Sequence, residues 1–193
     1  MEKRLDTLSG QKSWCTQEGT LHLSQSFVSL QPFEDGDSKL FESRAITKYI
    51  SFEYHGKGTE LVYHDGKKMA TVSVWMEVEA HQFNLVAYKL ISEQMAKPII
   101  FGMETDASVV EENQAKLGQI LDVYEERLSK SKYLGGDAFT LADLPHMPAI
   151  HFLMETSSKV LFEARPLVSV WIKDIMARPA WKKTIEMQKQ GQI

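Results

Sequence analysis

Leu134-Gly135-Gly136-Asp137-Ala138-Phe139-Thr140-Leu141-Ala142-Asp143-Leu144 is the stretch around which the rest of the chain is organised. Gly135 and Gly136 can adopt φ > 0 and so close a preceding helix. Thr140 is placed to cap the next one, with Asp143 at its third position: a capping box in which Asp stands for the usual Glu or Gln, each side chain accepting the other residue's backbone N–H. Phe139 and Leu144 occupy the positions of a hydrophobic staple. The helix so begun, roughly Leu141 to Leu153, carries Leu144, Met147, Ala149, Ile150, Phe152 and Leu153, with Asp143, His146 and His151 as its ionisable groups. A helix apolar on all sides belongs in a core, so this one is expected at the centre, wrapped by others.

Helical spacing surrounds it. A first long helix runs from near Gly66 to about Ile99; its length predicts a bend, with Asn84 and Pro98 as the weak points. A second begins at Thr105 or Asp106, with a seam of Val110, Leu117, Ile120, Leu121, Tyr124 and Leu128. A fourth starts at Arg165-Pro166, with Pro in the first turn, and buries Val170, Trp171 and Ile175. Arg178-Pro179 ends it, and Trp181 and Ile185 belong to a last short helix. The front of the chain reads differently. The apolar run Phe27–Phe33 leads to the tight-turn signal Asp35-Gly36, then to a short strand at Ser38–Phe41. Helical spacing follows at Ile46, Tyr49 and Ile50, with Ser43 as a fair cap. His55-Gly56-Lys57-Gly58-Thr59 is a polar, glycine-rich connector, which sets a boundary between residues 1–55 and 63–193. Residues 1–26 carry neither period. The pattern is a small mixed front unit followed by about five helices.

The bulk numbers exclude several classes. With 193 residues, 43% hydrophobic and 25% charged, the chain has the make-up of an ordinary globular protein. A net charge of -4 argues against a nucleic-acid partner. No apolar run approaches a membrane span, and Met1–Asp6 lead into polar residues rather than a secretory apolar region. The single Cys15 suits a reducing compartment, with the cytosol as the expected location. Among the six histidines, His146 and His151 lie about 140° apart on a helix and share no face for a metal. Asp35-Gly36-Asp37 lacks the closing Glu of a calcium loop. No metal is expected, and no phosphate loop is present. Glu111-Glu112 and Glu125-Glu126 fall on the polar face of their helix, where a solvated surface is the natural reading. Glu42-Ser43 is different. It sits where a strand gives way to a helix, where exposed N–H groups favour anions and a hydroxyl adds a donor. The residues alone leave plain capping and anion binding both open.

Four stretches carry a family resemblance: Glu34-Asp35-Gly36-Asp37-Ser38-Lys39-Leu40-Phe41-Glu42-Ser43-Arg44-Ala45-Ile46, Leu121–Leu128, Phe139–Leu144, and Ala177-Arg178-Pro179-Ala180-Trp181. Together they resemble the phi-class (plant) glutathione transferases over about residues 22–193. The resemblance implies a thioredoxin-like α/β N-terminal domain, here shortened, an all-α C-terminal domain, and a homodimer. It implies an enzyme in which glutathione, a co-substrate rather than a metal cofactor, attacks small hydrophobic electrophiles through its thiolate. Glu42, Ser43 and His22 match the family's glutathione-binding positions. Phe33 matches its aromatic plug into the partner subunit. Ser92, Met95 and Ala96 fall at the electrophile pocket. The sequence departs from the family where Phe33 runs straight into Glu34, without the segment that holds a cis-proline. No serine in residues 1–21 has the catalytic serine's context, so the catalytic group stays unassigned. The second expectation, from another class, is therefore a non-catalytic carrier of apolar small molecules or an inactive dimer partner.

Overall fold

The computed structural model describes residues 33–191. His22 and the other expectations for residues 1–32 lie outside the described residues. β1 (Phe33–Asp35) and β2 (Ser38–Leu40) form an antiparallel hairpin in which Phe33 faces Leu40 and Asp35 faces Ser38. The turn residues are Gly36-Asp37, one position later than the sequence signal, and Gly36 takes the left-handed φ of 59° that the tight turn demands. α1 (Ser43–Glu53) follows. The Tyr49 hydroxyl donates to Asp35 Oδ2 at 2.9 Å, and its ring lies 6.1 Å from that of Phe33, which fixes α1 against the hairpin. Hairpin and helix are the described portion of the expected α/β front unit.

The long helix is present and continuous from Gly66 to Ile100. It consists of α2 (Gly66–Val78), a π-helical stretch at Glu79–Phe83, α3 (Asn84–Ile91) and a second π-helical stretch at Ser92–Ile100. The anticipated weak points mark the widened turns: the first ends where Asn84 begins, and the second contains Pro98. A π turn leaves one residue more per bonded ring, so the helix relaxes there without breaking. Asp65 caps its start through the Lys68 N–H at 2.8 Å. α4 (Ala107–Leu128) is capped by Asp106, whose carboxylate accepts from Ser108 and Val109 N–H. α5 (His146–Leu153), α6 (Lys159–Glu163), α7 (Pro166–Met176) and α8 (Pro179–Lys189) complete the helical unit. α3, α4, α5 and α7 pack on one another. Their shared interior holds Phe83, Leu90, Leu117, Leu121, Tyr124, Met147, Ile150, Leu153 and Trp171, all essentially inaccessible to solvent.

The central helix is where the sequence places it but is shorter. Leu141–Pro145 form tight turns, with bonds from Asp143 N–H to Thr140 C=O and from His146 N–H to Asp143 C=O, and α5 proper starts only at His146. Pro145 and Pro148 have no N–H to give, which removes two of the i→i−4 bonds that a helix from Leu141 would need. The box is likewise half as expected. Asp143 Oδ2 accepts the Thr140 N–H at 3.0 Å, but Thr140 Oγ1 accepts from Ala142, at 3.2 Å, rather than from Asp143. Gly135 and Gly136 do not close a helix, since α4 has ended at Leu128. Gly136 is left-handed in sign (φ 143°); Gly135 is needed for space, because a Cβ there would lie 2.6 Å from Thr140 Oγ1. Val170, expected inside, is 63% exposed, and Val168 and Ile172 take the buried side of α7 instead.

Candidate functional site

The chain turns sharply between β2 and α1. Glu42, the flanking residue of α1, has φ 69° and ψ 111°, the one positive φ outside glycine among the described residues. A non-glycine residue there is strained by about 1–3 kcal/mol, and such strain clusters at ligand-binding corners. Ser43, expected as the cap, is instead the first residue of the helix, and no side chain caps α1. The first intrahelical bond runs from Ile46 N–H to Glu42 C=O at 3.0 Å. The N–H groups of Ser43, Arg44 and Ala45 therefore point out of the helix end without an intrahelical acceptor. Glu42 and Ser43 are both exposed. The corner thus offers backbone donors, a hydroxyl and the positive end of the helix dipole to an anion, with a carboxylate beside them for an ammonium group.

Arg44 fastens this corner to the helical unit. Its guanidinium makes a two-pronged ion pair with Glu79, Nε to Oε2 at 2.7 Å and Nη2 to Oε1 at 2.9 Å. Hydrogen bonding to Glu79 holds the guanidinium above its ordinary pKa, against the opposing effect of burial. Glu79 is fully buried and sits in the first π-helical stretch. This pair escaped the sequence reading, although a signal existed. Val72, Met76, Glu79, Phe83, Val86 and Leu90 are spaced by three and four along one buried stripe, and a carboxylate on such a stripe requires a partner.

Ser92, Met95 and Ala96 are half-buried in the second π-helical stretch. They begin 13 residues beyond Glu79, the partner of Arg44, along the same continuous helix, and among the described residues they make no hydrogen bond to Glu42 or Ser43. Nearby, the buried Glu93 closes the α3–α4 connection by accepting from Lys97 Nζ at 2.7 Å and from Asp106 N–H at 3.0 Å. Phe33 pairs with Leu40 and leans on Tyr49. Thr140 and Asp143 are completely buried. Asp143 Oδ1 accepts from Leu134 N–H at 3.1 Å and from the Trp171 indole N–H at 3.0 Å, in addition to the bond Oδ2 makes with Thr140. Of the acidic pairs read as solvated, Glu125 is not: its carboxylate accepts Leu167 and Val168 N–H and so caps α7. No group of three or more metal-ligating side chains occurs among the described residues.

Fold and corner together define a class: a small α/β unit that presents an open helix N-terminus beside an all-helical unit. The comparisons with known proteins narrow it. The family model described as the C-terminal domain of glutathione S-transferase matches residues 75–179. A glutathione S-transferase of Hyoscyamus muticus is 56% identical over 174 residues, 87% of this chain and 82% of that protein. The crystal structure of glutathione transferase F7 from Populus trichocarpa superposes with a TM-score of 0.76 at 42% identity, over 80% of this chain and 73% of that one. Glutathione S-transferase I from maize, solved with an atrazine glutathione conjugate, superposes with a TM-score of 0.75 at 37% identity, over 83% and 74% of the two chains. The chain belongs to the glutathione S-transferases. Its plant F-type relatives bear out the phi-class resemblance of its motifs.

Proposed function

We propose that the protein is a transferase that joins the thiol of glutathione to a small hydrophobic electrophile. The single observation that carries this reading is the uncapped, exposed N-terminus of α1, presented by the strained Glu42 within a family defined by glutathione. In this reading, residues 1–55 hold glutathione and residues 63–193 form the helical unit against which the electrophile lies. Ser43 and the adjacent N–H groups take the γ-glutamyl carboxylate. Glu42 takes its ammonium group, and His22 contributes from the chain before β1. Ser92, Met95 and Ala96 face the electrophile's side of the helical unit, and Phe33 contributes to a homodimer contact. The cytosol is the compartment that fits one cysteine and glutathione chemistry. No helix of the described residues is long and apolar enough to cross a membrane.

The test is calorimetric titration of glutathione into the full chain, alongside conjugation to a generic aromatic halide. Saturable binding is expected, with Ser43→Ala weakening it at least about tenfold, the equivalent of about 1.4 kcal/mol. Binding that Ser43→Ala leaves untouched would overturn the assignment of this corner. Turnover absent in the face of intact binding would overturn the enzymatic part alone.

A further inference from the structure

The connector between the two units carries a cluster that the transferase reading does not use. His55 follows the end of α1, and His64 immediately precedes the capping Asp65 of α2. Their imidazoles meet with Nε2 facing Nε2 at 3.0 Å, rings edge to face at 83° with centroids 4.2 Å apart. Behind His55 stands Glu60. Its Oε2 is paired with His55 Nδ1, and its Oε1 accepts the Gly56 N–H at 2.8 Å. The side chains of His55 and Glu60 are 42% and 45% exposed, so solvent reaches the cluster.

We propose that His55 and His64 bind a divalent transition-metal cation, with zinc as the type case, at the joint between the front unit and the helical unit. Glu60 decides the chemistry of His55. A carboxylate at Nδ1 keeps the proton on that nitrogen and leaves Nε2 as a bare lone pair. It also fixes the ring's orientation, the arrangement that metal-binding histidines commonly share. The facing Nε2 of His64 then donates the one proton between the rings. A cation takes the place of that proton when His64 changes tautomer, its proton moving through solvent from Nε2 to Nδ1. Two neutral imidazoles then present their Nε2 lone pairs as ligands, and no net proton is lost. The spacing fits. Zinc–nitrogen distances of about 2.0–2.1 Å in tetrahedral geometry set two ligand nitrogens about 3.3 Å apart. The nitrogens open slightly from the 3.0 Å present, and the two exposed rings, whose centres lie 4.2 Å apart, swing outward until both lone pairs converge on the cation. Water fills the remaining positions, and imidazole ligation selects zinc, copper or nickel over calcium or magnesium. No other histidine among the described residues faces a second imidazole. His81 pairs with Glu77, His146 is buried against Tyr124, and His151 packs on Phe152 and Trp181.

The experiment is zinc chloride titrated calorimetrically into the purified full chain at neutral pH. The expected result is saturable one-to-one binding that His55→Gln and His64→Gln each weaken at least about tenfold, and that Glu60→Gln weakens by about the same factor through His55. His81→Gln leaves it unchanged. The exposed position of these side chains predicts unaltered metal-free melting for every variant, which separates loss of binding from loss of folding. Ring-nitrogen chemical shifts should move at Nε2 of both histidines when zinc is added. An absence of saturable binding overturns the proposal. So does binding that persists in both single variants, or that disappears only when Cys15 or His22 is replaced, since either result puts the cation elsewhere.

Discussion

Asp143 shows how much one side chain can gather. It is buried, it accepts from Leu134, Thr140 and Trp171, and burial pushes its carboxyl up to about 6 even though all those bonds favour the anion. Replacing Asp143 with Ala leaves three buried donors unpaired and should cost about 3 kcal/mol or more. Asp143→Asn, which keeps one acceptor oxygen, should cost less. Denaturant unfolding of the two variants distinguishes them, and equal losses would mean that the bonds matter little. His146, a turn away, is displaced the opposite way, down to about 3, because its ring is sealed among Phe83, Tyr124 and Trp171. Tyr124, itself held protonated by burial, is hydrogen-bonded to His146 Nε2 at 2.8 Å. The two shifts act with opposite signs on stability. A histidine whose folded pKa is lowered contributes stability that is present above about 6.5 and lost as pH falls toward 3. An aspartate whose folded pKa is raised contributes stability that is present below about 3.8 and lost as pH rises through 6. The histidine displacement is the larger. The melting-midpoint gap between the parent chain and His146→Gln should therefore narrow as pH falls from 6.5 to 4, and a gap independent of pH would refute the assignment.

At the scale of elements, most of the helical unit was legible in the sequence because its periodicity is strong and its caps are ordinary residues in ordinary places. Asp106 starts α4 where the sequence puts it, and Pro166 opens α7. What escaped was every interaction made across elements. Glu125 lies on the polar side of α4 by its spacing, and only the placement of α7 turns it into a cap for that helix. Arg44 gave no local sign that its partner would be 35 residues away. The same limit applies to the candidate site: Glu42 and Ser43 were found through a motif, but the strained φ of Glu42 and the missing cap are properties of the folded corner. The Arg44–Glu79 pair supplies the element-scale prediction. Arg44→Ala strands a carboxylate in the core and should destabilise by about 3–5 kcal/mol, whereas the double change with Glu79→Gln should recover part of that loss. Additive losses in a double-mutant cycle would show that the two side chains are not coupled.

At the scale of the whole molecule, contacts among the described residues tie α1 and the connector after it to the helical unit. They include the ion pair of Arg44 with Glu79, the contact of His55 with His64, the bond from Leu141 N–H to Leu61 C=O in the connector at 3.0 Å, and the Arg178 guanidinium, which donates to Thr59 Oγ1 in the connector. The corner proposed to hold glutathione is thus anchored to the helical unit through Arg44, and on that proposal a variant that loosens Arg44 should weaken glutathione binding without touching a ligand contact.

The three donors to Asp143 also differ in how far along the chain they must travel to reach it, and this has a kinetic consequence. Thr140 and Leu134 are 3 and 9 residues away, within the reach of a loop that closes early, whereas Trp171 is 28 residues away and arrives only when α7 docks. Early contacts govern how fast a chain folds, and late ones govern how long it stays folded. Asp143→Asn should slow refolding in a stopped-flow experiment. Trp171→Phe should leave refolding nearly unchanged and shorten the lifetime of the native state, and the reverse pattern would mean that docking of α7 comes first.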